Sequence, residues 1–164
     1  MRNWNRETWT LALCIALLPP LWAVLAPYIG VQTGAVALIC AGVYVAAGNQ
    51  RKLALPMSLG FLAGDCWAVL ALWIMSRLPL GANAGLFLTL CVLGGAAVLI
   101  SAALPKLLYC PAWLCGWAIG LTILAPMEGP LGPTPVQIAA AMLAGVWYVG
   151  VLLDAVHRKL RGGR

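Results

Sequence analysis

Apolar positions fall in six long runs separated by short breaks, and the runs cover residues 9–29, 31–48, 55–76, 84–104, 106–127 and 134–156. About 20 apolar residues cross the hydrocarbon core of a bilayer, so each run is a candidate transmembrane helix. The first, Trp9 to Ile29, is interrupted by Pro19-Pro20 and Pro27. The second is short and predicts a nearly upright helix. Asn49-Gln50-Arg51-Lys52 breaks the chain before the third run, whose Pro56 sits in the first turn, where a missing N–H is harmless. Arg77-Leu78-Pro79 ends that run, and only Pro105 separates the fourth from the fifth, predicting adjacent antiparallel helices. Thr134-Pro135-Val136-Gln137 reads as a helix start, with Thr134 as cap and Gln137 as its capping-box partner.

Composition turns this pattern into a class. The chain has 164 residues, 63% apolar and 9% charged, with mean hydropathy +0.97. Soluble domains are about 45–50% apolar and about 25% charged. The contrast excludes a disordered chain, a water-soluble enzyme and a nucleic-acid-binding domain. The expectation is an all-α polytopic membrane protein with six transmembrane helices in a single integral membrane domain, residues 1–164. Six spans leave no room for a soluble catalytic domain, so no enzyme activity is expected.

Charge supplies the orientation. Arg2, Arg6, Arg51, Lys52, Lys106, Arg158, Lys159, Arg161 and Arg164 fall on one side of a six-span thread, and Arg77 alone falls on the other. By the positive-inside rule both termini face the cytoplasm. The C-terminal cations could also touch anionic headgroups, as a consequence of topology. Val24-Leu25-Ala26 has the small residues of a signal-peptidase site, but Pro27 follows it and the run is as long as a true span, so the segment is read as a helix that stays.

Cys14, Cys40, Cys66, Cys91, Cys110 and Cys115 are spread over five apolar runs and read as small apolar residues rather than a disulfide framework. Their spacing is not a metal-ligand pattern, and the only histidine, His157, lies at the cytoplasmic edge. No metal or cofactor is expected.

Asp65 is the ionisable residue deep in an apolar run. It lies ~15 Å from the cytoplasmic edge by helix rise. An intramembrane carboxylate costs roughly 2.5 kcal/mol or more and marks a candidate site. No Lys or Arg is deep enough to pair with it, so it is protonated, faces a wet cavity, or accepts hydrogen bonds from donors such as Tyr44, Thr89, Ser101 or a Trp N–H. The plain alternative is a neutral Asp holding helices or subunits together. Asp154, beside His157 and Arg158, reads as a surface ion pair or as part of a pH-sensitive gate with His157. Gly64-Asp65 has Leu62 where an intramembrane aspartyl protease carries Gly, and Asp154 is ~15 Å from Asp65 along the membrane normal, too far to share a proton.

Tyr109, Trp113 and Trp117 recur every four residues along the fifth helix, and Trp67 follows Asp65 by two. Rigid indole walls with single N–H donors suit a narrow path for a small polar solute, and such stripes also serve simple packing. Gly60 and Gly64, and again Gly116 and Gly120, form Gly-x-x-x-Gly pairs that allow close helix packing or subunit contact. Leu62-Ala63-Gly64-Asp65-Cys66-Trp67 is echoed by Leu143-Ala144-Gly145-Val146-Trp147 with one residue skipped. Three helices followed by three more reverse direction, so a true repeat would be a three-plus-three inverted one, with sites at the midplane.

Three stretches carry a family resemblance: Gly30 to Tyr44, Gly64-Asp65-Cys66-Trp67-Ala68, and Tyr109-Cys110-Pro111-Ala112-Trp113 before Gly116. On these the chain resembles the bacterial inner-membrane family typified by YcdZ, the domain-of-unknown-function family numbered ten ninety-seven, over about residues 10 to 155. The resemblance implies location in the inner membrane and the span count, not an activity. In size and in the inverted halves it is similar to small urea and amide channels, an analogy of architecture alone.

Three functions remain open. The leading expectation is a homo-oligomeric channel or facilitator for a small neutral polar solute (urea, amide or ammonia class), with Asp65, Trp67, Tyr109, Trp113 and Trp117 along the path and Asp154 and His157 as a gate. The alternatives are a proton-coupled carrier using Asp65 and a non-transporting scaffold that binds a partner subunit. The orientation has a direct test: green fluorescent protein fused after Arg164 is expected to fluoresce and alkaline phosphatase there to stay inactive, whereas phosphatase inserted between Leu78 and Gly81 is expected to be active.

Overall fold

The computed structural model describes residues 6–152 and 155. Every regular element within them is helical: α1 (Arg6–Leu25), α2 (Val36–Ala46), α3 (Ala54–Arg77), α4 (Ala82–Ala103), α5 (Cys110–Leu124) and α6 (Thr134–Ala144). Single 3-10 turns at Ala26–Ile29 and Arg51–Leu53 leave α1 and enter α3, and α6 runs on as a π-helix over Gly145–Val151. The all-α architecture is as expected. Three stretches, Arg51–Arg77, Ala82–Ala103 and Thr134–Val151, are long and apolar enough to cross a membrane, while Ala16–Ile29, α2 and α5 are shorter apolar helices.

Several boundaries differ from the apolar runs, each for a local reason. α1 continues through Pro19 and Pro20 instead of breaking there. Membrane helices tolerate proline where neighbours re-satisfy the freed carbonyls. α2 begins at Val36, not Val31. Gly30 takes a left-handed φ of 83°, and tight turns follow, closed by Val36 N–H to Thr33 O at 3.0 Å and Ala37 N–H to Gly34 O at 3.2 Å. α5 begins at Cys110, not Lys106, because Tyr109 is extended and donates its N–H to Pro56 O at 3.1 Å. The capping box at Thr134 does not form. Pro133 holds the N-cap position without a side-chain bond, and the Gln137 side-chain oxygen instead accepts from Gln32 N at 3.3 Å, tying α6 to the turn before α2.

The centre of the bundle is the parallel pair α3–α5. Its register follows from glycines. A Cβ at Gly60 would lie 2.8 Å from Tyr109 O, one at Gly116 2.6 Å from Phe61 O, and one at Gly120 2.5 Å from the Ala68 Cβ. At Gly64 it would strike the Trp113 carbonyl oxygen and lie 2.5 Å from Trp117 N. Both Gly-x-x-x-Gly pairs therefore face each other, and backbone packs on backbone. A second parallel pair, α2–α6, is built the same way. A Cβ at Gly145 would strike Ala37 O and come within 2.7 Å of the Cys40 Cβ, and one at Gly150 would reach the Tyr44 ring at 2.8 Å.

These pairs are related. Exchanging α1, α2, α3 with α4, α5, α6 maps α3–α5 onto α6–α2, α1–α2 onto α4–α5 and α1–α6 onto α4–α3. It leaves α2–α5 and α3–α6 on themselves, and all of these pairs touch. The Gly64 and Gly145 of the sequence echo occupy corresponding places, one against α5 and the other against α2. Most helix contacts thus follow the exchange an inverted repeat requires, and the α5–α6 contact, which has no α2–α3 counterpart of like size, departs from it.

Tyr44, Phe61, Met57, Leu124, Ile138, Met142 and Val146 fill the interior with under 2% exposure. α4 is peripheral and presents Phe87, Val92, Val98 and Leu99 outward. The parallel pairs put Arg51, Lys52 and Lys106 at one end of the bundle and Arg77 with Glu128 at the other. Overpacking a tight contact costs about 1–3 kcal/mol. Gly64→Ala is accordingly expected to lower stability by about 2 kcal/mol in a detergent unfolding titration. Gly95→Ala, with nothing within 4 Å of its added Cβ, is expected to change it by less than about 0.5 kcal/mol.

Candidate functional site

Asp65 stands mid-way along α3, about 17 Å from Ala54 by helix rise. Gly64, its neighbour, lets α5 approach, and Gly120 of α5 packs against the Ala68 Cβ beside the carboxyl. A Cβ at Gly120 would lie 3.4 Å from Asp65 Oδ1. The residue is only 5% exposed, yet Oδ1 has no hydrogen-bond partner among the described residues. None of the donors named from the sequence bonds Asp65 Oδ1. Ser101 Oγ donates to Val98 O at 2.9 Å and Trp67 Nε1 to Leu93 O at 3.0 Å. Thr89 Oγ1 makes no bond, and Tyr44 packs against Gly150. The carboxyl is enclosed but unmatched.

The aromatic stripe is positioned by the same helix contact. Trp113 and Trp117 are buried on α5, and Trp67 of α3 meets Trp113 edge-on, with ring centroids 5.1 Å apart and planes at 83°. Trp67 is anchored on α4 through Leu93 O, and the Trp117 ring lies 3.7 Å from the Cβ place of Gly94, also on α4. The indoles form a wedge that sets the spacing of α3, α4 and α5. Trp113 and Trp117 keep their N–H groups unpartnered. Tyr109 is half-buried where α5 begins, its backbone against Gly60. Of the sequence-predicted path residues, Trp67 and Trp113 are in ring contact, Trp117 lies beside α4, and the Asp65 carboxyl faces Gly120. Asp154 and His157 lie outside the described residues.

A polar link joins α3 to α6 that the sequence reading did not single out. Ser58, 4% exposed, accepts the Trp147 Nε1–H at 2.9 Å and donates to Ala54 O at 2.8 Å. Trp147 belongs to the π-helical stretch, and such bulges often mark functional places in helices. The signal was present as a serine inside an apolar run and a tryptophan inside the sixth. Nothing in their 89-residue separation announced the pairing.

Fold and site together define an all-helical protein of membrane character with an enclosed acidic side chain. The chain belongs to the family described as protein of unknown function DUF1097, whose model matches residues 12–157. No curated protein and no solved structure matches it.

Hydrogen bonds between membrane helices average about 0.6 kcal/mol in double-mutant cycles. Ser58→Ala and Trp147→Phe, singly and together, are expected to show a coupling of about that size by detergent unfolding, which locates the bond between α3 and α6.

Proposed function

We propose that the protein is a facilitator carrying a small, neutral, polar solute of the urea, amide or ammonia class across the bacterial inner membrane, without covalent chemistry. The observation that supports this reading is the Asp65 carboxyl, mid-helix and 5% exposed, with Oδ1 unpartnered beside Gly120. An acceptor in a low-dielectric interior binds N–H donors strongly. A neutral solute brings such donors without the desolvation cost of an ion. One carboxylate is a poor ion filter, since ion conduction relies on rings of ligands.

Trp67, Trp113 and Trp117 act as stiff spacers beside this station, and Tyr109 stands at the start of α5. An enclosed carboxyl requires helix movement for solute to pass, and α3–α5 and α2–α6 are the natural rigid units to rock against each other around the midplane. We assign both termini to the cytoplasm, a gating role there to Asp154 and His157, and a homo-oligomeric state.

Stopped-flow light scattering on proteoliposomes tests the reading with urea, ammonia and glycerol. Flux of urea or ammonia is expected down its gradient with no pH difference across the membrane. Asp65→Asn keeps a hydrogen-bonding carbonyl and is expected to retain flux, while Asp65→Leu is expected to lose about tenfold or more. Flux that appears only with a pH gradient, and that Asp65→Asn abolishes, would establish the proton-coupled carrier instead. Absence of flux together with co-purification of a stoichiometric partner would establish the scaffold.

A further inference from the structure

Where the end of α3 meets the first turns of α4, a cavity of about 160 Å³ is lined by Ile74, Leu78, Leu88, Thr89, Val92 and Leu93. Five of these side chains are apolar. Thr89 is not: it is 3% exposed, and its Oγ1 has no hydrogen-bond partner among the described residues. The other hydroxyls of α3, α4 and α5 are internally satisfied. Ser58 and Thr122 donate to the carbonyls of Ala54 and Ala118, four residues back, and Ser76 and Ser101 to those of Trp73 and Val98, three back. Thr89 leaves its donor free in an apolar surround. Such a lining fits a ligand that is hydrocarbon along most of its length and carries an acceptor at one point.

The neighbouring charge narrows the class. Arg77 precedes Leu78 in the chain, is exposed, and holds its guanidinium 5.5 Å from the Trp73 ring centroid. A guanidinium matches phosphate oxygens in shape and charge, and tryptophan beside a cation is typical of the headgroup level. Arg77 ends α3 and Thr89 is the eighth residue of the antiparallel α4, so Thr89 lies about 10 Å deeper than the Arg77 backbone, and the guanidinium, leaning back along α3 over Trp73, shortens that gap. Along the same helix the outward face of α4 is apolar, with Phe87 73% and Val92 60% exposed.

We infer that this cavity binds one phospholipid of the surrounding bilayer. Its phosphate pairs with Arg77, an acyl chain enters between α3 and α4, and an ester carbonyl accepts the Thr89 hydroxyl proton. This site is separate from Asp65 and does not depend on the transport reading. Native mass spectrometry of the full chain in detergent, titrated with phosphatidylglycerol, tests it. The parent chain is expected to retain one lipid. Thr89→Val and Arg77→Gln are each expected to weaken retention about fivefold, and Thr89→Ser, which restores the hydroxyl, to recover it. Diacylglycerol, which has the esters but no phosphate, is expected to bind the parent no better than it binds Arg77→Gln. Equal retention by the parent and both variants would overturn the site. So would diacylglycerol binding as tight as phosphatidylglycerol, or a dimer that dissociates in Thr89→Val while lipid retention is unchanged.

Discussion

The close approach of α3 and α5 governs the rest of the molecule. In a bilayer, apolar side chains gain nothing by leaving lipid for one another, so helices associate where backbones can come close enough for dense van der Waals contact. Gly60, Gly64, Gly116 and Gly120 provide that closeness, and no side chain larger than hydrogen fits at Gly64 without displacing the α5 backbone. The position of the Asp65 carboxyl, the inward turn of Trp113 and the wedge of indoles against α4 all follow from this crossing. Short α5, at 15 residues, is held by contact with the 24-residue α3.

The pair α2–α6 repeats the same solution with different residues. Gly145 takes the place of Gly64, but one turn further on the contact is Gly150 against the Tyr44 ring, where α3–α5 has Ala68 against Gly120. The π-helical stretch spaces Gly145 and Gly150 five residues apart instead of four, so both glycines still face α2 despite the extra residue. Trp147 inside that stretch then reaches across to Ser58, on the self-related contact between α3 and α6. The two halves share a plan, and the polar chemistry breaks the likeness: Asp65 in one half corresponds to the fully buried Val146 in the other.

An enclosed carboxyl is an expense the fold tolerates. The insertion penalty for aspartate at a helix centre is roughly 2.5–3.5 kcal/mol, and the tight contact beside it supplies a rigid frame that keeps the side chain from escaping to the interface. The indole N–H groups of Trp113 and Trp117 add further unspent polarity to the same pair of helices. A purely structural bundle would be more stable with apolar residues in these places.

Much was legible in the linear chain because the bilayer simplifies the code. Long apolar runs, glycine spacing and the distribution of Arg and Lys are local properties, and they were enough for the helical class, the order of the six helices, the Gly-x-x-x-Gly contacts and the prominence of Asp65. Helix ends were less legible, since hydropathy continues through Val31 and Lys106 to Tyr109 while the backbone there turns to satisfy Gly30 and the Tyr109–Pro56 bond. What only the tertiary structure decided is which polar group meets which. The separation of the Asp65 carboxyl from the indole anchors on α4, the Ser58–Trp147 link and the free Thr89 hydroxyl depend on the rotation of each helix about its axis. That rotation is set by packing against neighbours distant in sequence, and an almost uniformly apolar helix carries little local pattern to specify it.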